Sequence, residues 1–216
     1  MELLSRIIAF ILLIVLSPFL IIISTICLIF QGYPILFKQK RVGFQYRTFK
    51  IYKFRTMKVN SGPLITKERD ARITFIGWLL RKFKIDEIPQ LLNILKGEMR
   101  FIGPRPEVLE YFEESSFSFL KKIKPGISDF SSIIFRDESK VLDKIGGKNP
   151  YADLLPIKLK LSEYYAKNKS FLLDLKLVLI TMISIFLPNY PSRKFVIPDV
   201  IKNVPETKSF IDKYIF

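Results

Sequence analysis

The sequence predicts an α+β protein, mostly helical, with an N-terminal membrane helix and one small β-hairpin. Three observations carry that expectation. Residues Ile7 to Phe30, IIAFILLIVLSPFLIIISTICLIF, form 24 positions without a charge, and about 20 apolar residues suffice for a helix to cross the hydrocarbon core of a bilayer. Residues Ile35 to Met57 alternate apolar and polar side chains around Val42-Gly43, the period of paired strands. Most of the remainder reads as amphipathic, helix-length segments punctuated by Gly and Pro. At 216 residues the chain supports one domain with a real core and not comfortably two.

The apolar segment is too long, and ends in residues too large, for a cleaved secretory signal, whose apolar region runs about 7–15 residues to a small-residue site. Its notable feature is Ser17-Pro18 at mid-length. Proline removes a helix hydrogen bond and bends the chain, although a serine can satisfy the freed backbone within a membrane. A kinked spanning helix and a re-entrant helix that breaks at Ser17-Pro18 both fit. No acidic residue lies between Glu2 and Glu68, whereas nine basic ones fall from Lys38 to Lys67. Positive flanks mark the cytoplasmic side, and Arg6 makes the other flank compatible with that side too.

Along the rest of the chain, Val59 to Thr66 reads as a loop broken at Ser61-Gly62-Pro63. Helices are expected over Ile73 to Phe83, Asp86 to Leu95 (ending near Gly97), Glu107 to Lys122, Leu154 to Lys167 and Phe171 to Leu187. The last has only 11 uncharged residues after Lys176, too few to span. Ser128 to Pro150 reads as irregular, and the tail after Pro188 lacks periodicity. The resulting division is a membrane helix over 1–32, a catalytic domain over 33–187 and a C-terminal tail over 188–216.

Composition narrows the chemistry. Lys and Arg number 35 against 20 Asp and Glu, a net charge of +15 that calls for an anionic partner. Histidine is absent and Cys27 is the only cysteine, which excludes His-based catalysis, His-ligated zinc and an internal disulfide. The remaining candidate is Asp86-Glu87, in RKFKIDEIPQLLNILKGEM. On local grounds these residues suit a helix cap and first turn, with Pro89 tolerated behind them. Arg81 precedes them, Gly103-Pro104-Arg105-Pro106 follows, and the hairpin supplies Lys53 and Arg55. Arg105, stiffened by two prolines, can grip phosphate oxygens in a bidentate manner. A carboxylate among such cations stays ionised and can serve as a nucleophile or hold magnesium, which favours one or two carboxylates plus substrate phosphates.

These blocks resemble the bacterial monotopic phosphoglycosyl transferases. The likeness lies in the apolar segment with Ser17-Pro18, then FKIYKFRTM (Phe49 to Met57), RKFKIDEIPQLLNILKGEMRFIGPRP (Arg81 to Pro106), KPGIS (Lys124 to Ser128) and EYYAKNKSFLLDLK (Glu163 to Lys176). The resemblance implies a re-entrant N-terminal helix and a soluble part on the cytoplasmic face of the bacterial inner membrane. It implies transfer of a sugar 1-phosphate from a UDP-sugar to polyprenyl (undecaprenyl) phosphate, releasing UMP, as the first membrane step of surface polysaccharide or glycan synthesis. By position, Asp86 is the nucleophile of a ping-pong reaction and holds Mg2+, and Glu87 is its partner. Arg81, Arg105 and Asp174 fall at site positions, with Lys53 and Arg55 as further phosphate contacts. The implied partners are the donor, the lipid acceptor and membrane lipids, with no nucleic acid.

Four positions depart from the family pattern: Ala9 replaces an acid, Ser128-Asp129-Phe130 a Thr-Gly-Trp, Ile134-Phe135-Arg136-Asp137-Glu138 an Asn-Gly-Arg region, and Ser162 an Asp. The last three bear on sugar recognition more than on the reaction. Two rival readings remain at this point. One is a bitopic, non-enzymatic basic protein binding nucleic acid or anionic lipid, for which Asp86 is dispensable. The other is a phosphoryl transferase that works by direct attack without a covalent intermediate.

Overall fold

The structure, a computed structural model, describes residues 2–59 and 70–216. Of the loop expected over Val59 to Thr66, all but Val59 lies outside the described residues. Helix α1 (Glu2–Gln31) is followed by an antiparallel hairpin of β1 (Leu36–Val42) and β2 (Thr48–Phe54), with Leu36 opposite Phe54 and Val42 opposite Thr48. The turn is a five-residue connection, later than expected, in which Gln45 and Tyr46 adopt positive φ. Then come α2 (Phe75–Lys82), a tight helical segment (Ile85–Gln90) running into α3 (Leu91–Leu95), and a short parallel pair, β3 (Arg100–Ile102) with β4 (Gly126–Ser128). The C-terminal half holds α4 (Phe130–Ile134), α5 (Glu138–Ile145), α6 (Pro150–Asn168), α7 (Phe171–Phe186), α8 (Ile197–Asn203) and α9 (Lys208–Tyr214).

Four sequence expectations are corrected. The expected helix over Glu107 to Lys122 is two isolated turns, Leu109–Tyr111 and Ser118–Lys121. Its aromatic residues explain this: Phe117 and Phe119 are buried in a small cluster with Val42, Tyr46 and Phe112, a tertiary demand that a continuous helix face does not meet. The segment Ser128 to Pro150 is not irregular but contains α4 and α5. Nor is 188–216 a loose tail, since Val196, Val200 and Ile211 are fully buried in the main core with Phe130, Leu154, Leu161 and Leu177. Each such side chain contributes about 1.5–3 kcal/mol by burial, so this stretch is part of the same folded body.

The fourth correction concerns Ser17-Pro18. It does not break the helix, which continues through Pro18 to Gln31. Pro18 cannot donate to the carbonyl of Ile14, and the Ser17 hydroxyl donates to that carbonyl instead at 2.7 Å. The pair therefore repairs its own defect, as serine and proline do within apolar helices.

The body grips α1 at both ends. Near its start, Lys124 Nζ lies 2.9 Å from the Glu2 carboxylate and Arg6 Nε donates to Leu95 O at 2.8 Å. Near its end, Thr74 Oγ1 donates to Gln31 Oε1 at 2.9 Å. Between them run two apolar seams, Ala9 with Ile51, Leu91, Ile94 and Met99, then Cys27 with Phe54 and Leu80. The exposed Glu2–Lys124 pair is worth at most about 1 kcal/mol, so the seams hold the helix. The opposite face leaves Phe10, Ile14, Val15, Ile21 and Ile29 bare.

Candidate active site

Helix α2 ends where Lys84 takes a left-handed conformation (φ 56°). That reversal puts Lys84, not Asp86, at the cap of the next segment, and the Asp86 side chain caps nothing. The local structural account of the dyad thus fails, and both carboxyls are free for other work. Asn93 fixes the segment over the hairpin: its side chain accepts from Tyr52 N (3.2 Å) and donates to Lys50 O (2.7 Å).

Glu87 is saturated. Lys53 Nζ lies 2.9 Å from its Oε1, and Arg105 donates to Oε1 at 2.5 Å and to Oε2 at 3.4 Å. Burial alone would raise the Glu87 carboxyl, but Arg105, Lys53 and Lys84 hold it well below the usual carboxylate range. Arg105 is raised in turn, first by facing Glu87, while burial lowers Lys53. Asp86 is the opposite case. Its Oδ1 is buried without any hydrogen-bond partner. Burial, then the neighbouring Glu87, push its carboxyl up, against the pull of Lys53, Lys84 and Arg81. The adjacent acids therefore ionise in sequence, Glu87 first, with separate roles of the kind that paired acids in active sites adopt.

Arg105 owes its place to backbone contacts. Gly126 N donates to Pro104 O (3.0 Å) and Gly103 N to Ser128 O (3.0 Å). A Cβ on Gly126 would lie 2.1 Å from Gly103 N, so no other residue fits there. Arg81 is placed by α2, which approaches the chain just after β2 so closely that a Cβ on Gly77 would lie 2.0 Å from Thr56 O. Its Nε donates to Thr56 Oγ1 at 2.8 Å.

Asp86, Glu87, Lys53, Arg81 and Arg105 line one cavity of about 1230 Å³. Arg55 also borders it, but its Nη atoms donate to the carbonyls of Gln31, Gly32 (2.7 Å) and Tyr33 (3.5 Å), while its buried Nε has no hydrogen-bond partner. It closes the C-terminal end of α1, where a cation is favoured, rather than meeting a phosphate. Asp174 does not line the cavity. It accepts from the Tyr165 hydroxyl at 2.6 Å and faces Arg100 at 3.8 Å, in the first turn of a helix capped by Ser170. Its position is structural, tying α7 to α6 and β3. Ser17 and Pro18 are absent from the cavity lining as well.

Sequence reasoning missed a second polar cluster on the cavity wall. Lys158 Nζ donates to Glu138 Oε2 (2.9 Å) and to the Tyr151 hydroxyl (3.0 Å), and Tyr151 donates to Glu107, which also receives Arg41 (3.4 Å). These residues come from β1, α5, α6 and a loop, so no local spacing signals the cluster.

The described residues thus join one helix long and apolar enough to cross a membrane to a cleft that holds an acid dyad among cations. The chain belongs to the bacterial sugar transferase family, whose pattern it matches over residues 2–188. It is 36% identical over 174 residues to the UDP-N-acetylgalactosamine-undecaprenyl-phosphate N-acetylgalactosaminephosphotransferase of Aeromonas hydrophila, covering 77% of this chain and 38% of that protein. To the UDP-glucose:undecaprenyl-phosphate glucose-1-phosphate transferase of Klebsiella pneumoniae it is 33% identical, covering 84% and 39%. To the uncharacterized sugar transferase EpsL of Bacillus subtilis it is 36% identical, covering 70% and 69%. The chain thus spans about two-fifths of the length of the first two relatives and about two-thirds of the third.

Proposed function

We propose that this chain transfers a sugar 1-phosphate from a UDP-sugar to undecaprenyl phosphate, opening the assembly of a surface polysaccharide. The observation that carries the reading is the asymmetry of the dyad. Glu87 is consumed by Lys53 and Arg105, whereas Asp86 keeps an unpartnered oxygen on a cleft lined by Arg81 and Lys84. Asp86 Oδ1 attacks the sugar-bearing phosphorus of the donor; the phosphoanhydride bond breaks and UMP leaves with the bonding electron pair. A phosphate oxygen of the lipid then attacks the same phosphorus, forming polyprenyl diphosphosugar and returning Asp86 as a carboxylate. A covalent step of this kind divides one difficult transfer into two and lets donor and acceptor use the site in turn. The cleft exceeds the roughly 300–1,000 Å³ of a site for one drug-sized ligand.

Arg81 and Lys84 stabilise negative charge on the leaving nucleotide, and Glu87 holds Lys53 and Arg105 in place. The Asp86 carboxylate, which no protein group hydrogen-bonds among the described residues, fits magnesium, which takes one or two carboxylates and completes its shell with phosphates and water. A bound Mg2+ would supply charge neutralisation at the diphosphate. In the same reading α1 is monotopic. A helix of 30 residues is about 45 Å long, and a catalytic body attached at both its ends is compatible with entry from one face. The bare apolar face of α1 lies in the lipid and the cationic cleft at the cytoplasmic surface of the inner membrane.

Two measurements test this. Protein in nanodiscs containing undecaprenyl phosphate should release UMP from at least one UDP-sugar, and donor alone should leave a phosphosugar mass on Asp86. UMP release without any adduct would favour direct attack. For topology, a Glu2→Cys, Cys27→Ser chain in intact cells should resist a membrane-impermeant thiol reagent and become labelled after permeabilisation. Labelling in intact cells would show a spanning helix.

A further inference from the structure

The dyad accounts for one end of the cleft and leaves another set of polar groups on its wall unused. Ser131 lies there, 2% exposed, and its hydroxyl has no hydrogen-bond partner. A buried hydroxyl left unpaired costs free energy, so a polar ligand atom is the natural explanation. The position is rigid. Asp129 and Ser132 close the first turn of α4 with reciprocal hydrogen bonds of 2.7 and 2.8 Å, and Phe130, Ile133 and Ile134 anchor it in the core.

Glu138 borders the same cleft. Its Oε2 accepts from Lys158 at 2.9 Å, while its Oε1 has no hydrogen-bond partner among the described residues. Lys158 is buried and is itself held by the Tyr151 hydroxyl at 3.0 Å. Burial acts to raise the Glu138 carboxyl, but Lys158, Arg105 and Lys84 outweigh it and keep the group ionised at neutral pH. Lys84 and Arg105 act electrostatically on Glu87 as well as on Glu138, and all four line the same cleft. An ionised carboxylate with a free oxygen, lining the same cleft as an unpaired hydroxyl, is unsuited to phosphate. It suits donors of the O–H type.

We propose that Ser131 and Glu138 form the subsite that reads the hydroxyl groups of the transferred sugar, admitting neutral sugars and rejecting those that carry a carboxylate. Glu138 accepts one or two sugar hydroxyls on Oε1, Ser131 exchanges one hydrogen bond with the ring, and Lys158 holds Glu138 in place. A uronate ring would bring a second carboxylate against the half-buried Glu138 carboxylate, a like-charge contact. The subsite rests on the transfer reading above.

The test uses the full chain in nanodiscs with undecaprenyl phosphate, following UMP from UDP-glucose, UDP-galactose, UDP-N-acetylglucosamine, UDP-N-acetylgalactosamine and UDP-glucuronate. Wild-type protein should turn over at least one neutral donor and reject UDP-glucuronate. Ser131→Ala should raise the donor KM about 3–10-fold, the scale of one lost hydrogen bond, with the effect falling on KM more than on kcat. Its melting temperature should not fall, because no protein contact is lost; a purely structural serine would lower it. Glu138→Gln should raise KM for the neutral donor by at least about tenfold, the scale of a hydrogen bond to a charged group, and narrow its preference over UDP-glucuronate. Competitive inhibition by UMP, which lacks the sugar, should stay within about twofold of wild type in both variants. Equal losses of UMP and donor affinity would assign the groups to the nucleotide and overturn the proposal. So would wild-type selectivity and KM in Ser131→Ala, a variant that folds whether or not Glu138→Gln does. If the wild type releases no UMP from any donor, the transfer reading fails and takes the subsite with it. Activity in the wild type with unchanged variants overturns the subsite alone.

Discussion

Asp86→Asn is expected to lose turnover by at least about a thousandfold and, at neutral pH, to melt higher than the wild type. The first effect follows from chemistry, since an amide keeps the shape of the side chain but is no nucleophile. The second follows from the site. Asp86 is buried with an unpartnered oxygen, and its carboxyl is raised, first by burial and then by Glu87. A raised acid binds its proton more tightly in the folded chain than in the unfolded one, so stability falls as pH rises through the interval between the two pKa values. Removing the charge relieves that cost; about 1 kcal/mol corresponds to roughly 2–4 °C in a chain of this size. The gain should be largest at neutral pH and vanish below the unshifted value of 3.8, where both states hold the proton. Activity loss with a lower melting temperature at neutral pH would show that Asp86 is structural. Near-normal activity would move the nucleophile elsewhere.

Legibility from sequence followed the range of the interactions. The long helix, the hairpin and α2, α6 and α7 were readable because their signals are local: an uncharged run, a two-residue alternation, a 3.6-residue period. The dyad was readable as chemistry, though its local setting was not. Asp86 matched a cap, and only the left-handed turn at Lys84 removes it from that role. Arg55 and Asp174 show the converse. Each sits in a recognisable block, yet one is consumed by the carbonyls that end α1 and the other by Tyr165 and Arg100. Whether a charge is free for substrate depends on tertiary partners, such as Gly32 for Arg55 and Arg100 for Asp174, which spacing does not report. The same holds for the Lys158, Tyr151 and Glu107 chain, and for α8 and α9, whose proline-rich sequence hides a run of core residues at Val196, Val200 and Ile211.

Ser17-Pro18 separates two ideas that the sequence joins, a helix break and entry from one face. The helix continues, because Ser17 takes over the carbonyl that Pro18 leaves free. What bears on entry is the docking of both helix ends on the catalytic body, through contacts as distant as Glu2 to Lys124 and Gln31 to Thr74. Helix α1 is thereby tied to the candidate site: its seam with Ile51 and Ile94 backs the strand that carries Lys53 and the segment that follows Asp86.

Glu87→Gln should behave unlike its neighbour, destabilising the chain by about 3–5 kcal/mol as well as abolishing activity. Breaking a buried ion pair from one side leaves its partner charged and uncompensated, which costs far more than the pair contributes. Here two cations lose their partner, Lys53 at 2.9 Å and Arg105 at 2.5 Å. Lys53 is already lowered by burial against the pull of Glu87, so removing that pull should let it shed its proton. Arg105 cannot, and retains only the Ile127 carbonyl at 3.2 Å. The wild-type pair also predicts an acid transition. Glu87 is held well below the usual carboxylate range, so its stabilisation is complete above about pH 5 and is lost as pH falls through that lowered value. Denaturant titrations at neutral and acid pH should therefore show a large gap between wild type and Glu87→Gln that closes toward low pH. The Lys53→Met, Glu87→Gln double variant should recover part of the lost stability while remaining inactive, because a buried amine that must either stay charged without a partner or give up its proton has gone. A double variant no more stable than Glu87→Gln would mean that Lys53 is not stranded, and the division of labour between a held Glu87 and a free Asp86 would need to be redrawn.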